Sequence, residues 1–452
     1  MLRTARCGLR TTRAQRERLF ALLRSGADVW CCVLELNRWR RQRGDRQVTN
    51  YQELCRELTA AGPGTFGELD INGARSVLRR YSSAWHSAAK RRKAGDLTAR
   101  FPRRRRALVP VSWYHGKFEL ADRTVTVPTA QGCPPLVLRL DRNVPYPVEQ
   151  LRSVKLGYAD GRLYLDITAE VPVAVYSSGE APDPAQAAGV DLGIIHPYAA
   201  VSSSGEGFLV SGRSIRAEHR QHLRDRKGRS RAAARRAPKP GQRGSRRWRT
   251  HRRREKAAEA RHARRIRQSR HEAAGQVVAW AVEHRVGTLT VGDPRGVLGL
   301  AAGPIHNKRV RDWAPGQLIE ALTHKAEAAG IAVCLVDERG TSSTCPSCSR
   351  RAPKPRGRVF TCPRCGFSGH RDLVGAANIA ARTPGSAMIP PVPDGSGVTH
   401  RRAGRNLPGA GPNARRDPRR RPPSRPASRG HLAGSGPPLT PPPVAASGSC
   451  SR

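Results

Sequence analysis

The sequence predicts a multidomain protein of mixed α+β and α/β class. Three observations lead there. The 452 residues exceed what one ordinary core accommodates. Helical periodicity in the first hundred residues gives way to hairpin patterns, and after residue 186 a different order begins, three short strands followed by alternating helices and strands. Beyond residue 382 the composition turns to Pro, Gly, Ser and Arg without apolar periodicity.

Taken in order, residues 11–93 place Leu19, Leu22, Leu23, Trp30, Val33 and Leu34 at helical spacing among many arginines. The tract Pro102-Arg103-Arg104-Arg105-Arg106 marks a change. Hairpins are expected at 118–127 around Ala121-Asp122 and at 154–171 around Asp160-Gly161. Residues 1–178 therefore read as a β-module with a helical insertion at about 11–105, and 177–186, with its glycine and two prolines, as a linker. A second domain is expected at 186–382. Its strands at 188–195, 198–202 and 207–210 form an antiparallel meander, interrupted by a basic helical insertion at about 213–285. A strand at 288–291, a helix at 313–329 with Leu318, Leu322 and Ala326 on one face, a strand at 331–336 and a helix at 372–381 complete it. Three antiparallel strands, then helix, strand, helix, strand, is the element order of a ribonuclease H type mixed sheet. Residues 383–452 are expected to be a disordered basic tail.

Lys and Arg number 82 against 35 Asp and Glu, a formal net charge of +47. Such a surplus repels itself unless a polyanion neutralises it, which points to nucleic acid. No apolar run approaches the roughly 20 residues of a spanning helix, so no membrane partner is expected, and with no secretory pattern the protein is placed in the cytoplasm, at the nucleoid. The arginine-dense stretch 213–270, with Trp248 inside it, suits phosphate-directed contacts.

Eleven cysteines, an odd number in a long chain, do not make a disulfide scaffold. Four are spaced for metal. Cys345-Pro-Ser-Cys348 and Cys362-Pro-Arg-Cys365 are two knuckles separated by 13 residues, and each turns two thiolates toward one tetrahedral ion, so a single structural zinc is expected within a ribbon at 341–369. Arg350, Arg351, Lys354, Arg356 and Arg358, between the knuckles, suit either phosphate contact or a solvated loop.

Asp191 interrupts an apolar strand in Gly189-Val-Asp-Leu-Gly193, and Asp372 begins a helix whose Leu373, Ala376, Ala377 and Ala380 form an apolar stripe. Either acid alone is unremarkable as a strand-end or helix-start residue. In the element order above they become metal-ligand candidates, because hydrolysis of a phosphodiester by two Mg²⁺ requires converging carboxylates.

The segments Gly189 to Gly193, 341–348, 362–366 and Asp372-Leu-Val-Gly-Ala-Ala-Asn378-Ile379 closely resemble the TnpB family, the transposon-encoded (OrfB-type) relatives of type V CRISPR effectors, commonly called transposases. The resemblance implies an N-terminal wedge β-barrel with a helical recognition insertion and a C-terminal RuvC-like nuclease domain with an inserted zinc ribbon. It also implies an RNA-guided, Mg²⁺-dependent DNA endonuclease: its guide RNA comes from the transposon end, its target is double-stranded DNA beside a short flanking motif, and a separate transposase is encoded nearby. One position departs from the family pattern. Gly292 stands where the family carries a second catalytic Glu. Glu338, just past the next strand, is the preferred substitute, because neighbouring strands lie about 4.8 Å apart and its side chain spans much of that gap. Asp293 is the alternative, and serves only if its strand ends early or bulges. The resulting set is Asp191, Glu338 and Asp372; if neither substitute serves, the chain is a cleavage-defective RNA-guided DNA-binding protein, a repressor or transposition accessory.

Overall fold

The computed structural model describes residues 1–407 apart from 63–65, 105–107, 178, 298–302, 354–356, 386–388 and 405–406. The chain opens with strand β1 (Leu2–Arg10) and enters helix α1 (Arg13–Gln42) through a reciprocal cap, in which the Thr12 hydroxyl accepts from the Gln15 amide while the Gln15 side chain accepts from the Thr12 amide. Helices α2 (Tyr51–Ala60) and α3 (Ile71–Lys93) follow. Asp70 caps α3 and also accepts from the indole of buried Trp113, tying helix start to sheet. Six further strands are β2 (Val111–Tyr114), β3 (Glu119–Ala121), β4 (Thr124–Val127), β5 (Leu136–Leu140), β6 (Leu151–Ala159) and β7 (Arg162–Glu170). They hydrogen-bond in the order β2-β6-β7-β1-β5-β4-β3.

Both expected hairpins are present, as β3/β4 and β6/β7. Strand β1 pairs with β7 through residues 2–8 and with β5 at Leu9 and Arg10, so one strand passes from one ladder to another. The result is a curled sheet in which β2 and β3 have no ladder between them among the described residues, rather than a barrel closed by hydrogen bonds. Leu19, Leu22, Trp30, Val77, Trp113, Leu138 and Leu165 belong to one buried cluster, so the helical insertion and the sheet share a core.

The second sheet runs β12-β11-β8-β9-β10-β15, from β8 (Asp183–Asp191), β9 (Tyr198–Ser202), β10 (Gly207–Ser211), β11 (Val286–Asp293), β12 (Ala332–Asp337) and β15 (Val398–Arg402). β8, β9 and β10 form the expected antiparallel meander, while β11 and β12 add parallel to β8. Between β10 and β11 the basic insertion folds as α4 (Arg213–Ala234) and α5 (Arg246–Glu283), and α6 (Pro304–Trp313) and α7 (Pro315–Ala328) precede β12. Strands β13 (Val359–Thr361) and β14 (Ser368–His370) form a small hairpin before α8 (Arg371–Ala380).

Two boundaries differ from expectation. The linker is shorter, because β8 already begins at Asp183, paired with Val286. The tail begins later than residue 383: β15 pairs parallel with β10, and Ala403 and Leu407 are buried in the core beneath the sheet. Its polar, basic sequence conceals a strand that supplies mainly backbone hydrogen bonds. Residues 408–452 lie outside the described residues. No helix among the described residues is long and apolar enough to cross a membrane.

The sheet has two distinct faces. Ala188, Val190, Leu289 and Val291 point to α5 and α7, whereas Gly189 and Gly292 point to α8. At Gly189 the contact is with backbone: a Cβ there would stand 2.0 Å from the Ala376 carbonyl oxygen and 2.4 Å from the Ala380 nitrogen. Gly189→Ala should therefore destabilise by about 3 kcal/mol or more in urea unfolding, at the upper end of overpacking costs. Gly228→Ala, on the open surface of α4 with nothing within 4 Å, should be neutral or stabilising by up to about 1 kcal/mol.

Candidate metal and nucleic-acid site

The close seat of α8 on β8 sets the site. Asp191 ends β8 on the α8 face, where a Cβ at Gly375 of α8 would come 3.3 Å from its carboxyl carbon. Asp372 lies in the first turn of α8, where the helix dipole favours an acid. Gly292 leaves open the space beside Asp191, and a Cβ there would meet Ile379 at 2.8 Å and both Cβ and Oε2 of Glu338 at 3.1 Å. Glu338 thus occupies the volume that a side chain at 292 would fill. Asp293 does not share that face. The β11/β12 ladder runs without a break from Thr288 to Asp293, paired with Asp337, so neither an early end nor a bulge turns Asp293 toward Asp191.

Asp191, Glu338 and Asp372 line a cavity of about 610 Å³, whose walls also carry Arg216, Arg220, Arg270, Arg309, Arg358 and Arg371. Burial, then the charges of Asp372 and Glu338, push Asp191 up to about 8. Burial, with Asp293 and Asp337 nearby, pushes Glu338 up to about 7. Asp372 goes the other way. Burial opposes its ionisation, but the hydrogen bond with His196 (Nδ1 to Oδ2, 2.7 Å) and the charge of Arg358 hold it below the usual carboxylate range. Arg358 Nη1 donates to both Asp372 oxygens at 2.8 Å.

The buried Glu338 Oε2 has no hydrogen-bond partner among the described residues. An orphaned carboxylate oxygen beside a second, protonated-leaning carboxyl fits a hard divalent cation, which supplies the missing charge and the missing partner. At Asp372 such an ion competes with Arg358. The sequence singled out the three acids and counted Arg358 among the loop cations. It gave no signal for His196 as a partner of Asp372, because 176 positions of sequence separate the two. Arg216, Arg220 and Arg309 were hidden in a uniformly basic background.

The four expected cysteines come together. Cys345 and Cys365 sulfurs are 3.5 Å apart, those of Cys348 and Cys362 3.7 Å, and all four lie within 4.8 Å of one another. A tetrahedral ion with bonds of about 2.3 Å spaces its sulfurs by about 3.8 Å, so the set fits such an ion. Each knuckle closes alike, with the Ser349 amide donating to the Cys345 carbonyl and the Gly366 amide to that of Cys362, and both turn residues have positive φ. Arg350 and Arg351 flank the first knuckle, and Lys354 and Arg356 lie outside the described residues. The ribbon is anchored on α8. Val374 packs with Cys345, Phe360 and Cys362, and the Asn378 amide donates to the carbonyls of Thr341 and Thr344 at 2.7 and 2.8 Å.

Against known proteins, residues 170–298 match a family described as a probable transposase, OrfB_IS605, and residues 316–379 match the Cas12f1-like TNB domain. A CRISPR-associated endodeoxyribonuclease Cas12f1 from Sulfoacidibacillus thermotolerans is 27% identical over 114 residues, 25% of this chain; the match spans 26% of that relative's length. Among solved structures, Cas12f1 in complex with sgRNA and target DNA superposes with a TM-score of 0.59 at 14% identity, over 81% of this chain and 82% of that one, a likeness of fold. The mini-RNA-guided endonuclease CRISPR-Cas_phi3 is more distant, with a TM-score of 0.47 at 9% identity over 84% and 91% of the two chains.

The acid cluster makes stability pH-dependent in a defined sense. Asp191 binds its proton more tightly folded than unfolded, so its favourable contribution is complete below pH 4 and is lost as pH rises toward 8. With no divalent cation added, Asp191→Asn should therefore raise the melting temperature progressively more from pH 5 to pH 8. A constant difference across that range would contradict the crowding of the acids.

Proposed function

We propose, starting from a chain that is a TnpB-like relative of the type V CRISPR effectors, that it is an RNA-guided, Mg²⁺-dependent DNA endonuclease acting in the cytoplasm at the nucleoid. The carrying observation is the convergence of Asp191, Glu338 and Asp372 on one arginine-walled cavity. The strand order of the second sheet, three antiparallel strands extended by two parallel ones, supports a nuclease domain of the ribonuclease H and RuvC type. The curled first sheet with its helices supports a wedge and recognition module.

Asp191, Glu338 and Asp372 would hold the ions. Two Mg²⁺ bound there supply an activated water and stabilise the leaving oxygen of a phosphodiester. The protein's own groups do the rest. Arg216, Arg220 and Arg309 draw the strand into the cavity and neutralise its phosphates, and His196 orients the Asp372 carboxylate. The arginines of α4 and α5 suit the backbone of a guide RNA or guide–target duplex, with sequence left to base pairing and the protein sensing shape and a flanking motif. Zinc in the four-cysteine ribbon fixes the hairpin that carries Arg358 against α8. The Cas12f1 of similar fold was solved with guide RNA and target DNA, which supports the same partners here.

A second reading is a cleavage-defective RNA-guided DNA-binding protein. Gly292 and the Arg358 grip on Asp372 favour it. Sequencing RNA that copurifies with the protein, then incubating matched duplex DNA with Mg²⁺, separates the two: both readings predict one guide species, and only the first predicts cutting. Asp191→Ala and Asp372→Ala should each lower cutting by more than about 100-fold while leaving guide and target binding intact, since even partners of metal ligands are worth 10- to 100-fold. Glu338→Gln should do the same and Asp293→Asn should not. Purified protein should contain one zinc per chain, and stripping it should lower both the melting temperature and cutting, because the ribbon lies between Glu338 and Asp372.

A further inference from the structure

Beside the acid cluster, a second set of donors converges. His196, on the turn after β8, His370, at the cap of α8, and Asp372 each offer one ligand atom, and these atoms lie within 4.8 Å of one another. His196 Nδ1 is 2.7 Å from Asp372 Oδ2, and the two imidazoles meet edge to face with centroids 5.4 Å apart. His370 Nδ1 is buried and has no hydrogen-bond partner among the described residues. A buried polar atom left unpaired costs about 1–3 kcal/mol, so this nitrogen calls for a ligand.

We propose that His196, His370 and Asp372 form a second divalent-cation site that takes Mn²⁺ or a similar first-row ion in preference to Mg²⁺. Two imidazole nitrogens and one carboxylate oxygen suit such ions, whereas Mg²⁺ demands an octahedral shell of oxygens and sheds its water reluctantly. The ion takes the place of the hydrogen bond between His196 and Asp372. It also displaces Arg358 from Asp372, at modest cost, because the Arg358 side chain is 41% exposed and returns readily to water. With two oxygens, Asp372 is able to face this ion and the Asp191–Glu338 cavity at once. The site stands on its own donor atoms and holds whether or not the chain cuts DNA.

The probe is Mn²⁺, titrated into zinc-loaded full-length protein and read by electron paramagnetic resonance. At least one Mn²⁺ should remain bound in about tenfold excess of Mg²⁺, and pulsed measurements should show nitrogen modulation from coordinated imidazole. His196→Gln and His370→Gln should each weaken that Mn²⁺ by at least about tenfold, while Asp191→Asn retains it. Absence of nitrogen modulation in the unaltered protein, which requires no variant to fold, overturns the site. So does unchanged affinity in both histidine variants, or loss of the ion in Asp191→Asn, which would assign it to the acid cluster.

Discussion

Much of the arrangement around the second sheet depends on one contact without side chains, the passage of the α8 backbone over Gly189. Because that approach leaves no room for a Cβ, the first turn of α8 is brought beside the end of β8, and Asp372 and Asp191 become neighbours. Gly375 permits the same closeness from the helix side. The two glycines thus allow two like charges to approach, which costs stability whenever both are ionised and creates a place where a cation is favoured.

The ribbon belongs to this arrangement. Its apolar centre rests on Val374, its base is held by Asn378, and Arg358 reaches from its edge to Asp372. A small ribbon of this kind has too few apolar residues to fold on its own core, so it borrows one from α8. In return it brings the partly exposed Arg358 guanidinium to the buried Asp372 carboxylate. Asp372 is thereby met by the Arg358 guanidinium and by His196, which together hold its carboxyl below the usual carboxylate range.

What was legible in the sequence was whatever depends on spacing along the chain. The CxxC knuckles, the two hairpins, the meander after residue 186 and the two acids flanked by glycine or helix each carry a local signature. Illegible were features that arise only when distant segments meet. His196 and Arg358 are ordinary residues until α8 brings Asp372 to them. That Glu338 fills the space beside Gly292 while Asp293 stays in a regular ladder is a matter of packing between strands, which strand alternation anticipates only in part. Strand β15 was missed because a strand at a sheet edge is defined by its backbone, and Val-Thr-His-Arg-Arg looks like the basic segment around it.

That last strand has a consequence for where the folded unit stops. β10 would otherwise present an open row of amides and carbonyls, a template for pairing with another chain. β15 covers it and in turn offers a short border bearing Arg401 and Arg402, whose charges resist stacking of a second copy. A chain trimmed after α8 would keep every proposed metal ligand yet expose this raw border. The acid cluster is thus complete before the self-shielding unit is, and the strand that covers β10, with Ala403 and Leu407 packed in the core, carries the folded unit beyond α8.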